Sequence, residues 1–428
     1  MKVALLEKIV KKFSKDEFLR NISILTGGTV FAQLVMVLAL PILTRIYSPQ
    51  DFDLLAVYSA LISIATVGAC LRFNIAIPLP KQDSDAMALL FLASIAAFIF
   101  SALLGLVVLT FPAEIAGLLD QPTLRPYLWM LPVGVLFASL YDAAQFWASR
   151  KKRFVLITHT RIVRSLAGAS TQIGYGATQA SPFGLLFGHM LYSGVGFVSL
   201  WRSIWRDDIR VLRNISLTRL KLVARSYSRY PHKSVPEALF NTMSVELPVV
   251  LIAASAVGPE AGFLMVALRV IGMPMAFIGS SVGQVYLAEA PEHQRQGLLR
   301  EFTLKTMSRL FLVGMPPLVI FGSLAPFLFP IVFGSEWDRA GVIVAWLAPA
   351  FVLQFVASPV SMVLHVIDDV MLAMWVQLLG MIIRVGSVTL GLLFFPNLVT
   401  EIFAISGVLF YALFILVILA QLKVLEEH

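Results

Sequence analysis

The sequence predicts an all-α polytopic membrane protein, with about 12 transmembrane helices in two six-helix bundles around a central cavity. Three observations predict it. About twelve separate stretches are apolar over roughly 20 residues, the length that crosses ~30 Å of hydrocarbon. The chain is 58% hydrophobic and only 14% charged, with a mean hydropathy of +0.85. A soluble domain could not cover that much apolar surface. The stretches also fall into two equal sets on either side of a basic linker. In lipid the backbone must satisfy its own hydrogen bonds, so the spans are helices.

The elements follow in chain order. Residues 1–20 carry Lys2, Lys8, Lys11, Lys12 and Lys15, with Leu5, Leu6, Ile9, Val10 and Phe13 near helical spacing. They predict a cytoplasmic amphipathic helix on an anionic leaflet and lack the sustained apolar run of a signal peptide. The N-terminal bundle, 21–204, holds spans at Asn21–Ile46, Phe52–Leu79, Asp85–Phe111, Leu124–Ala148, Phe154–Ala177 and Phe183–Ile204. A basic cytoplasmic linker occupies 205–235. There Ile209, Leu212, Ile215, Leu220 and Val223 make one apolar face among arginines, as in a helix lying on a surface. The C-terminal bundle, 236–422, holds Pro236–Val257, Ala261–Ala290, Thr303–Phe333, Val342–Val366, Met371–Phe395 and Glu401–Leu422. Residues 423–428 form a cytoplasmic tail. Equal halves joined by a long loop suggest two bundles flanking a cavity.

Charge sets the orientation. The formal net charge is +8 and the pI about 9.6. In a soluble protein this would suggest nucleic acid; here basic residues in cytoplasmic loops account for it, and no nucleic-acid partner is expected. With the N-terminus inside, cytoplasmic segments collect about 24 of the 33 Lys and Arg. The opposite loops hold Arg45, Arg125 and Arg339. Both termini are therefore expected in the cytoplasm. Cys70 is the only cysteine, so no intrachain disulfide forms.

The sequence contains no G-x-x-x-x-G-K phosphate loop and no H-E-x-x-H pair, and it offers no large external loop for an active site. Catalytic residues, a metal site and a cofactor are not expected, nor is enzymatic activity. The informative signal is positive charge at membrane depth, which is expensive and normally faces a cavity or a partner. Arg72 lies at intermediate depth, and Arg161, Arg164, Arg269 and Arg384 lie too deep to snorkel. Arg309, near a cytoplasmic end, can snorkel. Thr158, Arg161, Ser165, Gly168, Gln172 and Tyr175 form one polar stripe, and Gln377, Gly380, Arg384 and Ser387 another. Gln354, Ser358, Ser361 and His365 make a third, and Arg269, Ser280 and Gln284 a weaker one. Helix–helix glue is the competing reading of such stripes. Read as a cavity, they make Arg72, Arg161, Arg164, Arg269, Arg384, Gln172 and Gln377 candidate substrate-binding residues. Deep acids are fewer: Glu246 and Asp142 are candidates for ion coupling, and a structural ion pair with Arg269 is the alternative for Glu246. The surplus of deep cations implies an anionic ligand, because the guanidinium fork suits phosphate and diphosphate oxygens.

Four stretches also carry a family resemblance. They are NISILTGGTVFAQLVMVLALPILTRIYSPQDF, LRFNIAIPLPKQDSDA, SRYPHKSVPEALFNTMSVELPVVLIAASAVGPEAGFLMVALRVIGMPMAFIGSSVGQVY and FGSEWDRAGVIVAWLAPAFVLQFVASPVSM. In order and spacing they resemble Wzx-type polysaccharide and O-antigen flippases of the multidrug/oligosaccharidyl-lipid/polysaccharide exporter superfamily. The resemblance implies two six-helix bundles around a V-shaped cavity with alternating access, in the bacterial inner membrane. It implies translocation of an undecaprenyl-diphosphate-linked glycan for O-antigen or exopolysaccharide synthesis. Membrane lipids, a polysaccharide polymerase and a chain-length regulator are the implied partners. Arg72 and Arg269 match its cationic positions, and Pro41 and Arg45 its structural signature. The sequence departs from the family at Asp53, where Gly is usual, at Asn74, where Glu is common, and at Glu246, where a neutral polar residue is common. A drug/cation antiporter of the same fold is the alternative transporter. An O-unit polymerase or ligase is the enzyme alternative, and it conflicts with the missing external loop.

Overall fold

The computed structural model describes residues 17–179, 181–213, 215–272, 279–367 and 370–424. The amphipathic segment expected at 1–20 lies almost wholly outside them, as do the side chains of Ser280, Gln284 and His365. Among the described residues the secondary structure is helical, with no strand. The main helices are α1 (Glu17–Ile46), α2 (Pro49–Ala69), α3 (Asp83–Thr110), α4 (Met130–Arg150) and α5 (Phe154–Thr178). Next come α6 (Pro182–Gly194), α7 (Phe197–Asp207), α8 (Leu217–Ser226), α9 (Val235–Ser255) and α10 (Glu260–Ile271). The series ends with α11 (Ser280–Arg295), α12 (Leu299–Phe333), α13 (Asp338–Val360), α14 (Val370–Phe394) and α15 (Val399–Val424). Nine of the described helical stretches are long and apolar enough to cross a bilayer, α6 and α7 counting as one. The protein is a multi-pass membrane protein. The expected fourth and fifth spans, and the described parts of the eighth, are helical but fall outside the nine. Asp142, Arg161 and Arg164 dilute the apolarity of α4 and α5, and residues 273–278 of the eighth lie outside the described residues.

The described chain packs as two compact units. The first runs up to Ala39 and adds Ala65–Phe111 and Tyr127–Val235; the second takes Leu40–Ile64, Pro112–Pro126 and everything from Pro236 onward.

The core of the first unit is built from small residues. Ala86, Ala93 and Ala97 of α3 and Ala143 and Ala144 of α4 are fully buried in one cluster, which lets the helices approach closely. The α5–α6 crossing is tighter still. A Cβ on Gly188 would sit 2.4 Å from Gln172 Cγ and 2.9 Å from Gly168 O. Only glycine allows this backbone contact. The linker joins the same core. Ser216 caps α8 by accepting from the Arg219 N–H at 3.2 Å, and Val223 is buried. The α8 helix thus lies against α3, where Arg219 pairs with Asp85 at 2.8 Å. The basic run after α4 is also fastened. Arg150 pairs with Asp83 at 2.9 Å and donates to the carbonyls of Pro78 and Pro80. Arg153 pairs with Asp208 at 2.8 Å, and the same carboxylate accepts from Trp147 Nε1.

The expected second span, Phe52–Leu79, is not one continuous helix. The α2 helix ends at Ala69, and Leu71 and Arg72 adopt left-handed φ values of 50° and 58° before a short turn at Phe73–Ala76. Two successive left-handed non-glycine residues break the helix at a cost of roughly 1–3 kcal/mol each.

In the second unit, α12 spans 35 residues, about 52 Å at ~1.5 Å per residue, so it must tilt or extend past the hydrocarbon. One face packs on α13, where Gly322 meets Ala348 and Gly341 meets Ala325. The other shows Leu312, Ile320, Phe327 and Ile331 outward, as a lipid-facing surface requires. Trp337 is fully buried, donates to Thr44 O at 3.0 Å and stands edge-on to Phe52 at 4.9 Å. Asp53, also buried, accepts from the Gly262 N–H at 3.1 Å and from Gln121 Nε2 at 3.0 Å. Gly262 is required there, because its Cβ would lie 2.4 Å from Pro49 O. The Asp53 carboxylate therefore serves the N-terminal turn of α10, where orphan N–H groups need an acceptor. These bonds tie Leu40–Ile64 and Pro112–Pro126 to the C-terminal helices.

Candidate functional site

The deep cations of the first unit share the electrostatic field of one carboxylate. The strained turn after α2 delivers Arg72, α5 delivers Arg161 and Arg164, and all three bear electrostatically on Asp142 of α4, Arg164 most strongly. The guanidinium of Arg164 lies between two phenol rings, 4.5 Å from the centre of Tyr141 and 4.9 Å from that of Tyr192. Each such contact is worth about 1–2 kcal/mol when desolvated. Tyr141 shares a hydrogen bond of 3.3 Å with Thr160, one helical turn before Arg164, which fixes α4 against α5. Arg161 donates to the hydroxyl of Thr29. Three guanidiniums thus bear on one acid, a positive surplus. Aromatic faces hold an arginine in place without using up its hydrogen-bond donors. Arg164 therefore keeps its fork available for an anion.

The other sequence candidates are placed differently. Gln172 is fully buried and donates to Leu185 O at 3.0 Å, so it serves the α5–α6 seam rather than an open cavity. In the second unit, Glu246 is hydrogen-bonded to Ser63 and lies in the field of Arg269. Arg384 of α14 is 6% exposed and lies beneath Phe403, Phe410 and Tyr411, at 5.5, 5.6 and 5.2 Å from their ring centres. Gln377, two turns earlier, has a buried amide oxygen with no hydrogen-bond partner. Arg309 is exposed, as snorkelling requires.

Sequence reasoning missed one polar knot. Arg339 grips Glu260 at 2.9 and 3.1 Å and Glu401 at 2.7 and 3.1 Å, and also donates to Thr400 at 3.0 Å. Its partners are 79 and 62 residues away in sequence. Their only local signal is that both acids sit in the first turns of helices, where the helix dipole favours them.

With this geometry in place, comparison with known proteins decides the family. A sequence profile described as polysaccharide biosynthesis protein matches residues 42–341, well over half of the chain. The chain belongs to the polysaccharide biosynthesis protein family. No curated protein sequence matches it significantly. Solved structures share the fold of this family member at low identity. The lipid II flippase MurJ, in an inward closed conformation, aligns with a TM-score of 0.70 at 14% identity, over 94% of this chain and 89% of its own. An inward-facing multidrug resistance MATE family transporter of the MOP superfamily aligns with a TM-score of 0.59 at 12% identity, over 95% of both chains. A mutant of the Vibrio cholerae MATE transporter VcmN gives 0.59 at 12% identity, over 96% of this chain and 98% of its own. At such identities the likeness establishes the transporter fold alone.

Proposed function

We propose that this polysaccharide biosynthesis protein is a flippase. It moves a polyprenyl-diphosphate-linked oligosaccharide unit for O-antigen or exopolysaccharide from the cytoplasmic to the outer leaflet of the bacterial inner membrane, by alternating access. One observation carries the reading: Arg72, Arg161 and Arg164 all act electrostatically on the single carboxylate of Asp142, with Arg164 held by aromatic faces. A diphosphate presents several anionic oxygens at a spacing that guanidinium forks match. Asp142 balances part of the charge and keeps the arginines from binding the diphosphate irreversibly. Family membership and the fold shared with MurJ support the reading. Export of cationic drugs fits the residues less well, because the deep carboxylates Asp142 and Glu246 both lie in arginine fields.

The test is surface glycan export by variants that insert at wild-type levels. Losing one charge-assisted contact costs about 1.5–3 kcal/mol, or about tenfold to a hundredfold in substrate affinity. Arg164→Ala and Arg161→Ala should therefore accumulate lipid-linked glycan on the cytoplasmic face, and Arg164→Lys should restore export only partly. Arg309→Ala should export normally. Wild-type surface glycan in both alanine variants would refute the assignment of these arginines.

A further inference from the structure

Arg384 is a charge problem that the fold does not solve with a carboxylate. Its side chain is 6% exposed, and its Nε is buried without a hydrogen-bond partner. None of the ion pairs among the described residues includes it, and the Tyr411 phenol is its polar side-chain neighbour. Three aromatic faces soften the desolvation, but a buried cation without a counter-charge still costs several kcal/mol. Beside the guanidinium lies a small cavity of about 70 Å³, within the second unit. Its polar lining is Arg384 and Gln354, and the rest is apolar, including Leu268, Phe351, Phe403 and Gly407. A Cβ on Gly407 would come within 3.2 Å of Arg384 Nη2, so glycine leaves the guanidinium its room.

We infer that this cavity is a site for a small monovalent inorganic anion of halide size. The ion would rest against the Arg384 guanidinium, with the Gln354 amide as a second donor. Size, charge and chemistry each point to this class. At about 30 Å³ per water-sized occupant, the cavity holds about two, an ion and one water, and it is far too small for a sugar. Arg384 is the one ionisable side chain among the lining residues, so the lining is net positive. A buried guanidinium supplies charge-assisted hydrogen bonds worth about twice neutral ones. The site removes Arg384 from substrate recognition and makes it a structural anion holder that joins α14 to α13 and α15. Its occupancy should therefore be read in stability rather than in transport.

The test uses the full-length protein in detergent with no lipid-linked sugar present, so its outcome is independent of the flippase reading. Thermal unfolding is followed in bromide, chloride and gluconate at one ionic strength. The midpoint should rise saturably with either halide relative to gluconate, because a ligand that binds only the folded state stabilises it. Bromide soaked into crystals should give an anomalous peak beside Arg384. Arg384→Met should weaken the apparent halide affinity by about tenfold or more, the loss expected for a charge-assisted contact. An equal halide response in wild type and Arg384→Met would overturn the proposal. If Arg384→Met does not fold, the wild-type protein decides alone. Indifference to halide, or bromide bound elsewhere, would then overturn it.

Discussion

Replacing Arg339 by methionine should cost more stability than any other single surface-proximal change in the second unit. The side chain makes five hydrogen bonds, four to the carboxylates of Glu260 and Glu401 and one to Thr400. The side chains are 26% exposed for Arg339, 15% for Glu260 and 9% for Glu401, so removing the cation strands two mostly buried acids. Breaking a fully buried pair costs about 3–5 kcal/mol. The open quarter of Arg339 lets water relieve part of that, which brings the expected loss to about 3 kcal/mol, near two orders of magnitude in the unfolding constant. The knot gathers the first turns of α10, α13 and α15. The acids suit the positive ends of α10 and α15, while Arg339 at the start of α13 does not, so the network has to hold the arginine there. The assay is denaturation of purified protein in detergent, run as a mutant cycle with Glu260→Gln and Glu401→Gln. Methionine with both carboxamides should recover about half of the loss, because no charge is then stranded. Arg339→Lys should fall in between, since an ammonium cannot grip both carboxylates as a fork. A loss below about 1 kcal/mol for Arg339→Met, or no recovery in the triple variant, would show that the knot is a solvated surface cluster.

Two further outcomes follow from the packing. Gly188→Ala should destabilise the first unit by about 1–3 kcal/mol, since its methyl would press on Gln172 Cγ at 2.4 Å and on the Gly168 carbonyl; unchanged thermal stability would show that α5 and α6 part freely. Cys70 is buried, its thiol facing Ser139 O at 3.5 Å, so a maleimide should leave the folded protein unlabelled and label it fully once denatured. Rapid labelling in native membranes would contradict that packing.

The helices and the deep arginines were legible in the sequence because apolarity and charge are local properties. The run Thr158, Arg161, Ser165 and Gly168 reads as a polar stripe, and Arg161, with Arg164 beside it in sequence, acts electrostatically on Asp142. The same stripe misleads at Gln172, which has the right spacing but packs against Leu185 in a helix seam. Periodicity gives the face of a helix and not the neighbour it meets. The break at Leu71 and Arg72 was invisible, since neither glycine nor proline marks it. The Asp53 and Arg339 contacts were equally hidden. Asp53 meets Gly262 across 209 residues, and nothing local announces a carboxylate that serves another helix. Its presence where relatives carry glycine reads as a departure in sequence and as a helix cap in the fold.

The left-handed pair at Leu71 and Arg72 bears on how this protein can be engineered. Glycine adopts that backbone without strain, so a glycine at either position would raise heat resistance by a fraction of the stored energy. A screen that rewards thermostability alone would favour Arg72→Gly and would discard one of the three cations around Asp142. Consensus design and laboratory evolution on this scaffold should therefore hold position 72 fixed, or select on glycan export alongside melting temperature.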